Sequence, residues 1–85
     1  MENRAGMAIS QAKALERLEA FVPRVEGHLA KIAENPEHSS IPYWSHEVTT
    51  WLNQMEAMLP HVGKKTAADW VARIAHWRQE LPPKP

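Results

Sequence analysis

Cysteine is absent from the chain, and there are only three glycines, one phenylalanine and one tyrosine. Without cysteine there is no disulfide framework, no thiolate zinc site and no thiol nucleophile. So few glycines leave no glycine-rich phosphate loop. No run of 18 or more apolar residues occurs, so no segment is expected to span a membrane. The opening MENRAGMAIS lacks the apolar centre of a secretory signal, and a cytoplasmic location is the expectation. Net charge is also missing, with ten Lys and Arg against ten Asp and Glu. Nothing in that balance points to a polyanionic partner.

What is present is helical. Eighty-five residues are expected to make one domain, 1–85, near the lower size limit for a self-supporting core, with 1–6 and 82–85 as frayed tails. The organising stretch is Ile41–Pro60. There Trp44, Val48, Trp51, Met55 and Leu59 recur in steps of four, three, four and four, with Leu52 and Met58 widening the line. At about 100° per residue these seven side chains fall within roughly a third of the circumference. A stripe so wide and aromatic needs more than one neighbouring helix to cover it.

Upstream, Leu15, Leu18, Val22, Val25, Leu29 and Ile32 repeat in alternating steps of three and four, flanked by Ala14 and Phe21. The seam runs straight through Pro23, which removes a helical donor, crowds the carbonyl of Glu19 and costs about 3 kcal/mol in a helix interior. Because the register survives, one long proline-kinked helix over Met7–Glu34 is expected, ended by Asn35-Pro36. The second helix is expected at Pro42–Leu59, with Pro42 in its first turn and Ser40 or Ser45 as cap. The third is expected at Ala67–Leu81. Its capping box is Thr66 with Asp69, its core line is Trp70, Ile74, Trp77 and Leu81, and Pro82-Pro83 stop it.

The fold class is therefore all-α, an antiparallel three-helix bundle with a proline-kinked first helix. The expected core comprises Leu15, Leu18, Val22, Val25, Leu29, Ile32, Val48, Trp51, Leu52, Met55, Leu59, Trp70, Ile74, Trp77 and Leu81. Trp44 and Trp51 are seven apart, as are Trp70 and Trp77. Two copies of that spacing indicate two core faces meeting, not a repeat array.

Catalytic and metal chemistry find little support. Five histidines (His28, His38, His46, His61, His76) include no pair at helical ligand spacing, so neither a metal nor any other cofactor is expected. Ser45 and His46 are neighbours and do not face one another on a helix. No enzymatic activity is expected.

The charge is uneven along the chain. Residues 35–60 carry Glu37, Glu47 and Glu56 with no Lys or Arg, whereas residues 61–85 carry five cations against Asp69 and Glu80. One reading of the second group is a nucleic-acid-binding face formed by Lys64, Lys65, Arg73 and Arg78. The shared seam of Trp70 and Trp77 with Ile74 argues that these rings are core and not stacking platforms. The favoured expectation is a small non-enzymatic protein–protein interaction module, an accessory subunit, adaptor or inhibitor of regulatory character. Its partner surface would be the aromatic loop–helix junction Ile41, Tyr43 and Trp44, with Phe21 at the edge of the first seam. A homodimer is plausible from the regularity of that seam, nucleic acid is unfavoured, and no membrane partner is expected.

Overall fold

The computed structural model describes residues 9–83. These form three α-helices, α1 (Gln11–Glu34), α2 (Ile41–Met58) and α3 (Lys64–Glu80), with a 3-10 turn at Leu59–His61 after α2 and no strand among the described residues. The expected all-α bundle is the fold. None of these helices is long and apolar enough to cross a membrane.

Each boundary has a local cause. Ser10 is extended, and its Oγ accepts the Lys13 N–H at 3.0 Å, so α1 begins at Gln11. The expected start at Met7 is thus corrected for Ile9 and Ser10, while Met7 and Ala8, like the proposed tail 1–6 and residues 84–85, lie outside the described residues. Pro23 is exposed within α1 and does not divide it. At the other end the Asn35 N–H bonds back to the carbonyls of Lys31 and Ile32, and Pro36 forbids continuation. α2 follows with Pro42 in its first turn, where its missing N–H costs no hydrogen bond.

The start of α3 is corrected more substantially. The helix begins at Lys64, three residues before the expected Ala67, so Thr66 and Asp69 lie inside it and form no capping box. The cause is Gly63, whose φ of 81° and ψ of 153° are accessible to glycine almost alone. That geometry turns the chain directly from the 3-10 turn into the helix. It also places Lys64 and Lys65 in the first turn, where the helix dipole opposes cations. At the far end Leu81 is extended (ψ 143°), as the residue before Pro82 should be.

Side-chain links fix the topology. His28 meets Glu47, and Arg17 and Phe21 face Gln54–Met58, so α1 and α2 run antiparallel. The Gln11 amide donates to the Val62 carbonyl at 2.8 Å, and Glu26 lies across from Ala72–Trp77, so α3 returns parallel to α1. The core joins Ala14, Leu18, Val25, Leu29 and Ile32 of α1 with Val48, Leu52 and Met55 of α2, Val62, and Trp70, Ile74 and Trp77 of α3. Against the expected core, Leu15, Val22, Trp51, Leu59 and Leu81 are only half-buried, and Ala14 and Val62 are buried instead. The line of α1 that points inward is rotated from the expected seam. Leu15 and Val22 lie on its edge towards α3, and Phe21 and His28 on the opposite edge.

α3 touches only one side of the α1–α2 pair, through Glu26 on α1 and through Asn53 and Glu56 on α2. Residues pointing the other way remain without a third layer.

Candidate partner-binding face

On the side of α1–α2 turned away from α3, Arg17, Ala20, Phe21 and Arg24 face Gln54, Ala57 and Met58 across a hollow of about 410 Å³. Phe21 and Met58 are half-buried there. Further along the same side, His28 of α1 meets α2. Its Nε2 lies 2.6 Å from Glu47 Oε1, and its ring stands edge-on to Trp51 (centroids 4.8 Å apart) and Trp44 (6.5 Å). On α1, residues 17, 20, 21, 24, 28 and 31 fall within an arc of about 100°, as do residues 43, 44, 47, 51, 54 and 58 on α2. Helical geometry thus makes one continuous face of the hollow and the His28 cluster.

The junction at the end of this face is more covered than the sequence suggests. Ile41 is half-buried against the core. Trp44 is half-buried, with the His38 ring stacked on it (4.8 Å, 28°) and the Lys31 ammonium 5.5 Å from its ring centroid. His38 is itself held, because its Nδ1 accepts the Ser40 N–H at 3.0 Å. Tyr43 alone of the group is open, at 63 % exposure. Phe21 is not adjacent to Tyr43 and Trp44. It sits opposite Gln54–Met58, which at 1.5 Å per residue is about 15–20 Å further along α2.

Glu47 governs the electrostatics here. The hydrogen bond from His28 holds its carboxyl below the ordinary glutamate value. Partial burial opposes that shift, and Tyr43 and the nearby Lys31 charge reinforce it. In return the Glu47 carboxylate, as acceptor for the phenol proton and as a negative charge, pushes Tyr43 above its ordinary value. Neither His28 nor Glu47 is among the partner-surface residues expected from sequence. The available signal is that His28 lies one heptad after Phe21 on the same edge of α1, and Glu47 lies between Trp44 and Trp51 on one edge of α2.

The four cations of the proposed nucleic-acid face do not assemble into one patch. Lys64 and Lys65 are exposed in the first turn of α3. Arg73 lies over the rings of Trp70 (4.3 Å to the centroid) and Trp77 (5.1 Å). Arg78 donates to Asn53 Oδ1 at 2.9 Å and pairs with Glu56 at 3.0 Å. Five residues apart, Arg73 and Arg78 point about 140° from each other. Trp70 and Trp77 are 4 % and 5 % exposed, so neither offers a face for a base.

Among the described residues no group of three or more His, Asp or Glu side chains is placed to hold a metal ion. His46 and His61 are exposed, and His38 is engaged with Trp44. Buried Ser45 Oγ has no hydrogen-bond partner and is not a cap, since it lies inside α2. No family model, no characterised protein and no solved structure matches the chain.

Proposed function

We propose that the protein is a non-enzymatic protein–protein interaction module, of the size of an accessory subunit, adaptor or inhibitor. It binds its partner on the side of α1–α2 that α3 leaves uncovered. The observation that carries this reading is the placement of half-buried apolar and aromatic side chains along that side. Phe21 and Met58 line its hollow, Trp51 and Trp44 follow, and exposed Tyr43 ends it. Side chains of this kind, partly desolvated and already held in place, anchor interfaces at low ordering cost. The His28–Glu47 pair and the His38 stack supply such preorganisation at one end.

A photo-crosslinking side chain introduced at Ala57, in the hollow, and separately at exposed Ala68 on α3 tests the reading. Native-host lysate should give a discrete adduct from Ala57 and none from Ala68, and the adduct should vanish in a Phe21→Asp variant that keeps its helical circular dichroism. Identical adducts from both positions, or none from Ala57, would overturn it.

A further inference from the structure

The uncovered face carries a second pattern besides its apolar one. Arg17, Arg24 and Lys31 recur at intervals of seven along α1. Seven residues return to within about 20° of the same line and advance about 10.5 Å, so the three cations form a row of about 21 Å beside the hollow. Arg17 and Arg24 line that hollow, and Lys31 lies over Trp44 at its far end. Among the described residues none of the three makes an ion pair.

Among the described residues no acid of the same helix forms an ion pair with the row. Glu19 and Glu26 each stand two residues after an arginine and so project about 160° away. Glu26 faces α3, and Glu16 pairs with Lys13. The α2 edge of this face offers Gln54, Ala57 and Met58. Its one carboxylate, Glu47, accepts from His28 and also feels the Lys31 charge. A chain of zero net charge thus presents one face that is both apolar and cationic.

We infer that the segment seated on this face is an acidic amphipathic α-helix of the partner protein. It lies along α1–α2 with apolar side chains against Phe21 and Met58 and carboxylates at i, i+7 and i+14 opposite Arg17, Arg24 and Lys31. The inference rests on the proposed use of this face for protein binding and adds the chemistry of what binds. Ala20 and Ala57 keep the floor low enough for a helix to approach, the mode in which an amphipathic helix fills an apolar groove. A second copy of the chain fits less well. Its own matching face carries the same row of cations and no unengaged carboxylate to set against them.

The test uses the full chain and a fluorescent, helix-stapled peptide with glutamates at i, i+7 and i+14 and, on the adjoining edge, leucines at i+4, i+8, i+11 and i+15. A second peptide has lysines in place of the glutamates. Anisotropy should show saturable, salt-weakened binding of the glutamate peptide and none of the lysine peptide. The R17E/R24E variant should bind the glutamate peptide at least about tenfold more weakly, and K64E/K65E should bind it as the native chain does. Equal binding of both peptides, or native affinity in R17E/R24E, would overturn the inference. Failure of the glutamate peptide to bind would do the same. If the Ala57 adduct nevertheless forms, the protein-binding face stands and only its partner chemistry is wrong; if that adduct is missing too, both fall. Light scattering that reports a dimer lost on Phe21→Asp would assign the face to a second copy instead. Tighter binding of a single-stranded oligonucleotide than of the peptide, abolished in R17E/R24E, would assign it to nucleic acid.

Discussion

Trp70 and Trp77 of α3 are 4 % and 5 % exposed, whereas Trp44 and Trp51 of α2, at the same spacing of seven, stay half-buried. Spacing decides which side chains share a line on a helix. It does not decide how many neighbours that line meets. α3 brings one apolar line between α1 and α2, so its tryptophans are enclosed from both sides. The stripe of α2 is wider than one partner can cover. Val48, Leu52 and Met55 take the core, and Trp44 and Trp51 are left on the edge towards His28. The covered side holds the core, and the uncovered side carries the proposed partner surface.

Truncation separates the two sides most sharply. Trp77→Ala should cost about 3–5 kcal/mol, because it removes a large, nearly fully buried ring from the core. Trp44→Ala should cost about 1–2 kcal/mol, since that ring is only partly buried, at the edge of the core. Urea denaturation followed by far-ultraviolet circular dichroism measures both, and equal losses would break the contrast between the two tryptophan pairs.

Next in size is the joint that delivers α3 to the covered side. An alanine at Gly63 must adopt a φ near 81° and brings its Cβ to 3.0 Å from Gln11 Nε2. Gly63→Ala should therefore destabilise by about 1–3 kcal/mol, and an unchanged denaturation midpoint would show that the turn relaxes freely.

The uncovered side has a pH signature of its own. Glu47 is held below its ordinary value when folded, so the native state binds its proton less readily than the unfolded chain. Its contribution is fully present above the unfolded value of about 4.3 and is lost as pH falls through and below it. Thermal midpoints of Glu47→Gln should decline less steeply across that acidic window than those of the native chain. Parallel curves would mean that the His28 contact does not bias Glu47 ionisation. The smallest effect belongs to Gly27, exposed on α1 with nothing within 4 Å of a built Cβ. Gly27→Ala should raise stability by about 0.5–1 kcal/mol without touching either side.

The comparison also shows what sequence can carry. The helix count, the end of α1 at Asn35-Pro36, the span of α2 to within a residue at each end and the burial of Trp70, Ile74 and Trp77 were all legible from period and punctuation. The start of α3 was not, because Thr66 and Asp69 are an acceptable capping pair and only the positive φ of Gly63 makes them unnecessary. Val62 was missed because it lies in a turn, outside any periodic segment, and is buried by the packing of the 3-10 turn against α1 and α3. Of the face, Phe21, Tyr43 and Trp44 were visible as residues. The pairing of His28 with Glu47 was not, since it depends on the register between α1 and α2, which neither helix encodes alone.

Pro23 gives α1 a property beyond its length. It offers no amide to the carbonyl of Glu19, so the helix lacks one rung near its middle. Among the described residues, the two side-chain hydrogen bonds that tie α1 to distant chain stand on either side of that rung, Gln11 on Val62 and His28 on Glu47. Unzipping that begins at one end can halt at the proline while the other half stays fastened. Amide hydrogen exchange should accordingly resolve α1 into two blocks with separate opening energies, where an unbroken helix of 24 residues would report one.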